Sequence, residues 1–192
     1  MILSGQKILS EIQAGNIRIT PFDEKYVNPI SVDLTLGKHV AVYRNAISGV
    51  ISNSALWEPS HNVLDPKVEQ PIIKRQISES GFVMNPGIGY LMHTNENVWT
   101  EKYVPILDGK SSVGRLFIQI HATAGLGDPG FDGQYTLEVM VTHPVKVYEG
   151  MRIAQIRFFT IDGGITSYQR TGNYVGEKAQ GPIGSMLWKS FK

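Results

Sequence analysis

The clearest alternation in the chain covers residues 134–142, where Tyr135, Leu137, Val139 and Val141 fall on one face of an extended segment and Gln134, Thr136, Glu138 and Met140 on the other. That period predicts a half-buried strand with Glu138 in its middle. Residues 117–123 predict a neighbouring strand. Residues 31–36 predict another, with Val32, Leu34 and Leu36 on one face and Asp33 turned the other way. Residues 153–160 are apolar on both faces apart from Gln155 and Arg157, the pattern of a central strand covered on both sides. Asn85-Pro86-Gly87, between Phe82-Val83-Met84 and Tyr90-Leu91-Met92-His93, predicts a turn that closes a hairpin. The helical pattern lies at residues 4–14: Ser4 suits the N-cap, Ile8, Leu9 and Ile12 share a face, and Gly15 suits the stop. Short strands broken by Pro21, Pro29, Gly37 and Gly49 around one minor helix predict a mainly β barrel or jelly roll rather than a βαβ sheet.

Candidate chemistry concentrates in residues 108–141. Gly109-Lys110-Ser111-Ser112-Val113-Gly114-Arg115 places two hydroxyls and two cations around what can be one helical turn. Ser111 or Ser112 can cap such a turn while its free N–H groups face an anion. On these residues alone an ordinary surface turn is the commoner outcome. Residues 123–133 add a glycine-studded turn, which lets backbone approach a ligand closely. A carboxylate in mid-strand, like Glu138, is most often a wet surface residue. For Asp33 the plain expectation is a turn-facing carboxylate bonded to backbone. No chemistry is legible in residues 44–80, and residues 57–62 read as a surface loop. The glycine-rich tail from residue 168 suits a frayed end or a lid.

Bulk properties narrow the classes. The 192 residues suffice for one domain, spanning 1–192. Lys and Arg number 18 against 17 Asp and Glu, giving a formal charge of +1, so long nucleic acid is not an expected partner. No run of about 18 apolar residues predicts a membrane span, and the start lacks a signal peptide's pattern, so a cytoplasmic location is expected. The chain has no cysteine, which excludes disulfides. The histidines His39, His61, His93, His121 and His143 are scattered without ligand-like pairing, so no metal centre of the protein's own is expected; His121 lies next to the candidate chemistry.

Taken together these residues resemble the dCTP deaminase branch of the trimeric dUTPase superfamily. Ser111-Ser112-Val113-Gly114-Arg115 matches its Ser-Ser-x-x-Arg phosphate motif, and residues 125–133 match its Gly-x-x-Asp-x-x-aromatic-x-Gly turn. Ser31-Val32-Asp33-Leu34-Thr35-Leu36-Gly37 and Gly150-Met151-Arg152-Ile153-Ala154-Gln155 agree as well. Thr136-Leu137-Glu138 matches the feature that separates the deaminases from plain dUTPases. The resemblance implies a dUTPase-like distorted barrel, a homotrimer with shared sites, and deamination of dCTP without zinc; with no cysteine, the His/Cys/Cys zinc site of other cytidine deaminases is excluded.

In that reading Glu138 is the base, with Ser111 and Arg115 orienting water and the carboxylate and Arg115 helping to keep Glu138 ionised. Backbone at Ala122, Thr123 and Ala124 reads the base edge, and Phe131 packs on the deoxyribose. Lys110, Ser111, Ser112, Lys178 and Gln180 hold a triphosphate that brings Mg²⁺ with it. Residues 168–192 form a lid containing Tyr168 or Tyr174. Ligands beyond dCTP are dUTP and dTTP. A plain dUTPase would instead use Asp128 to direct water at the α-phosphorus, and a non-catalytic regulator would keep only the phosphate loop. Ala124-Gly125-Leu126 resembles enzymes that continue to dUMP and pyrophosphate. Lys110 stands where the family usually has Arg, and Gly127 where a branched apolar residue is common. Both alter the phosphate end of the site, so dUTP is the expected product and dUMP with pyrophosphate the alternative.

Overall fold

The structure, a computed structural model, describes residues 1–44 and 63–192. The loop expected at residues 57–62 lies outside them. The chain opens on helix α1 (Gly5–Gln13), where Ser4 Oγ accepts from the Lys7 N–H at 3.2 Å, Ile8 is fully buried, and Gly15 leaves the helix at φ 74°. Strands β1 (Arg18–Thr20), β2 (Val32–Thr35), β3 (His39–Tyr43) and β4 (Ile72–Gln76) follow. Next come β5 (Phe82–Met84), β6 (Tyr90–Trp99) and β7 (Tyr103–Gly109), then the single-turn helix α2 (Ser111–Gly114). The remainder is β8 (Ile118–Gln119), β9 (Asp132–Val141), β10 (Val145–Val147), β11 (Arg152–Thr160) and a short helix α3 (Tyr168–Thr171).

Three sheets result. The largest runs β4-β3-β6-β9-β8 with β1 also on β6, the second is β2-β11-β7, and the third is the pair β10-β5. All pairings are antiparallel, as expected for a mainly β fold. β11 is the middle strand of its sheet, with Ile153, Ala154, Ile156 and Phe158 fully buried. On β9 Leu137, Val139 and Val141 face the core alongside Met92 and Leu34. Each such side chain stabilises the fold by roughly 1.5–3 kcal/mol relative to exposure. Among the described residues no helix is long and apolar enough to cross a membrane.

Three expectations need correction. The turn at Asn85-Pro86-Gly87 is present, with Gly87 at φ 80°, but it closes no hairpin: β5 pairs with β10, so Met84 lies opposite Val145. The strand expected at residues 117–123 contracts to Ile118–Gln119. Phe117 takes a left-handed φ of 56° as the chain leaves α2, and beyond β8 the backbone turns to β7, where Gly127 N–H donates to Pro105 O at 2.8 Å. Asp33 is not turn-facing, because all of β2 is buried.

Candidate active site

Around Asp33 the motif segments meet. Its carboxylate, only 2% exposed, forms an ion pair with Lys110, lies 3.2 Å from Nη1 of Arg152, and accepts from Asn28 Nδ2 at 2.8 Å. A buried carboxylate needs such partners, since desolvation of the bare charge costs several kcal/mol. Gln155 completes the frame by donating to Gly109 O at 3.1 Å. Segments far apart in the chain thereby fix the entry to α2.

This arrangement bears on two expectations. Lys110, expected on the triphosphate, pairs in this structure with the buried Asp33 carboxylate. It is also the N-cap of α2, where neither Ser111 nor Ser112 supplies a side-chain cap. Both serines and Arg115 are exposed, and none has a side-chain hydrogen bond or ion pair among the described residues. They do not line the cavity that contains Glu138. The expected contact of Ser111 and Arg115 with Glu138 is therefore absent within one chain.

That cavity encloses about 450 Å³ between the polar face of β9, the 124–131 turn and the tail. Glu138 opens into it from mid-strand, and its Oε2 accepts from the Ala122 N–H at 3.3 Å. Ala122 and Thr123 are exposed beside it, and Ala124 lines it. At Gly125 a side chain would meet Leu107 O at 2.6 Å and His121 Nε2 at 3.1 Å, so the turn's close approach to β7 requires glycine. His121 lies 3.7 Å from an Asp108 that Arg157 also engages, a cluster of polar side chains the sequence did not announce.

Aromatic rings form one wall. Phe131 packs against Tyr135 at 4.9 Å between centroids and against Tyr168 at 5.9 Å, and Tyr174 also lines the space. Burial pushes the Tyr168 phenol pKa upward. Asp128 lies on the same wall.

The tail is ordered over this face. Tyr168 N–H donates to Pro129 O at 2.9 Å, Gly181 N–H to Gln134 Oε1 at 2.7 Å, and Ala179 is fully buried against Gly133. It is thus no frayed end. Gln180 donates to Asn97 Oδ1 at 2.7 Å and does not line the cavity. The Lys178 side chain lies outside the described residues.

Sequence reasoning missed Tyr43, Leu91, Tyr135, Ile183 and Ser185, which also line the cavity. Gln134 and Thr136 could have been found, because they share the polar face of β9 with Glu138. Tyr135 reads as a core residue by alternation, but the register of β9 shifts opposite residues 93–97, and such irregularities re-aim side chains.

The framework is mainly β, as expected from the strand pattern, and carries a carboxylate in an aromatic-walled cavity. A family model described as dCTP deaminase-like matches residues 2–161. The chain is 42% identical over 192 residues to a Clostridium beijerinckii protein named "dCTP deaminase, dUMP-forming", covering 100% of this chain and 99% of that one. Against a Leptospira biflexa protein of the same name it is 40% identical over 192 residues, with 100% and 99% covered. Its fold is similar to the crystal structure of 2'-deoxycytidine 5'-triphosphate deaminase from Agrobacterium tumefaciens, with a TM-score of 0.60 and 26% identity. That match covers 82% of this chain and 47% of the other, so this chain spans about half the solved polypeptide. The chain belongs to the dCTP deaminase-like family.

The expectation that the reaction stops at dUTP is overturned by the relatives' names, which specify dUMP as the product. Lys110 serves Asp33, and the space left by Gly127 is filled by the Tyr135 hydroxyl, 2.4 Å from where a Cβ would lie.

Proposed function

We propose that this chain deaminates dCTP hydrolytically and carries the nucleotide on to dUMP and pyrophosphate. The observation that carries the reading is the placement of Glu138: a mid-strand carboxylate, tethered through one oxygen by the Ala122 N–H, opening into an aromatic-walled cavity. Glu138 takes a proton from water as the water oxygen bonds to C4 of cytosine and passes it to ring nitrogen N3; it then takes the remaining hydroxyl proton and gives it to the amine as the C4–N bond breaks, releasing ammonia and leaving a C4 carbonyl. Backbone at Ala122, Thr123 and Ala124 reads the base edge, and Phe131 packs against the deoxyribose. Asp128 then directs a second water at the α-phosphorus, displacing pyrophosphate.

The exposed Ser111, Ser112 and Arg115 act, in this reading, on a nucleotide held by a neighbouring copy in a homotrimer. Mixing Glu138→Gln with Arg115→Ala protein tests this: shared sites restore turnover above either parent, and sites confined to one chain restore none. Mg²⁺ would enter with the triphosphate and offset its charge; among the described residues no cluster of three or more His, Asp or Glu side chains forms a cage for it. The tail, with Tyr168, Tyr174, Lys178 and Gln180, closes over the nucleotide. Ammonia release from dCTP tests the deaminase reading, since a plain dUTPase releases none.

A further inference from the structure

The Tyr135 hydroxyl occupies an unusual position. A Cβ on Gly127 would lie 2.4 Å from it, 2.9 Å from Pro105 Cγ and 3.1 Å from Tyr135 Cε1. The φ of Gly127 is not positive, so space alone demands the glycine. The hydroxyl therefore takes the volume that a side chain at position 127 would fill, beside the residue that precedes Asp128. Tyr135 and Asp128 line the same cavity.

The ring is held firmly while its polar end is left over. Phe131 packs on it at 4.9 Å, and the Tyr135 N–H, at the register shift of β9, donates to Thr94 Oγ1 at 2.9 Å. The hydroxyl has no hydrogen-bond partner among the described residues. Burial, and after it the Asp128 carboxylate, push its pKa upward, so at neutral pH it remains a proton donor. A protonated phenol lining the same ligand cavity as a carboxylate can donate to that carboxylate and orient it.

Resting on the reading that this chain continues to dUMP, we propose that Tyr135 is a positioning residue for the second hydrolysis: with nucleotide bound, its hydroxyl donates to the Asp128 carboxylate and holds it in line with the α-phosphorus. In that step a water oxygen bonds to the α-phosphorus and the bridging bond between the α-phosphorus and the β-phosphate oxygen breaks. The bond's electron pair leaves with pyrophosphate, and the water's proton passes to Asp128. Deamination at C4 does not use this contact.

The test is the partition between products. Tyr135→Phe keeps the ring and its packing on Phe131 and removes only the donor. With dCTP as substrate, pyrophosphate release should fall about tenfold more than ammonia release, with dUTP accumulating. In an Asp128→Asn background the same change should have no further effect on pyrophosphate release, because Tyr135 acts through Asp128. Gly127→Ala, which displaces the hydroxyl without altering it, should shift the partition in the same direction and decides the matter where Tyr135→Phe fails to fold. A wild type that makes dUMP beside a variant with an unchanged partition overturns the role of Tyr135 and leaves the functional reading standing. A wild type that makes only dUTP overturns both.

Discussion

The Ala122 N–H donates to Oε2 of Glu138 across 3.3 Å, while Oε1 has no partner among the described residues. One oxygen is thus tied to the backbone, and in the proposed function the other activates water. Glu138→Gln keeps an oxygen for the Ala122 contact and loses the base, so ammonia release from dCTP should fall by roughly two to four powers of ten with the melting temperature nearly unchanged. Retained turnover in that variant removes Glu138 from the mechanism.

Lys110 is predicted to matter first for stability. Lys110→Met leaves the buried Asp33 with Arg152 and Asn28 alone, a loss of roughly 1–3 kcal/mol; the remaining partners keep it below the range for a fully broken buried pair. Denaturant unfolding measures it. Unchanged stability with a raised KM for dCTP would put Lys110 on the phosphates after all.

Glu11 supplies a pH signature away from the site. Its carboxylate meets Lys7 at 2.7 Å, Lys102 at 3.0 Å and Asn16 at 2.7 Å, and chiefly the Lys7 contact, then that of Lys102, pulls its pKa from 4.5 down to about 2. The folded state therefore binds this proton more weakly than the unfolded chain. The stabilisation is complete above pH 4.5 and is lost as pH falls toward 2. Stability measured across that window should drop less steeply in Glu11→Gln than in the wild type; parallel curves would show that the contacts add nothing.

Removing residues 174–192 strips Tyr174, Ile183 and Ser185 from the cavity and leaves the three sheets in place. The truncated protein should stay folded, with a raised KM for dCTP and lower turnover. Unchanged kinetics would show the tail to be packing alone.

Much of this architecture was legible because it is local. The alternation on β9 placed Glu138 on the polar face, and Ser4 and Gly15 bracketed α1. What stayed hidden depends on contacts between distant segments. Nothing near Asp33 announces that Lys110, 77 residues away, or Arg152, 119 residues away, will neutralise it. The partner of β5 is settled by the packing of β10, not by the turn that follows it. Gly127 looked like a missing side chain because Tyr135, which fills its place, reads as core by periodicity.

The central claim is that both hydrolyses occur in this one protein, and the products of dCTP test it most directly. Chromatography of the reaction over time should show ammonia, dUMP and pyrophosphate rising together with no build-up of free dUTP. Accumulation of dUTP without dUMP would contradict the account.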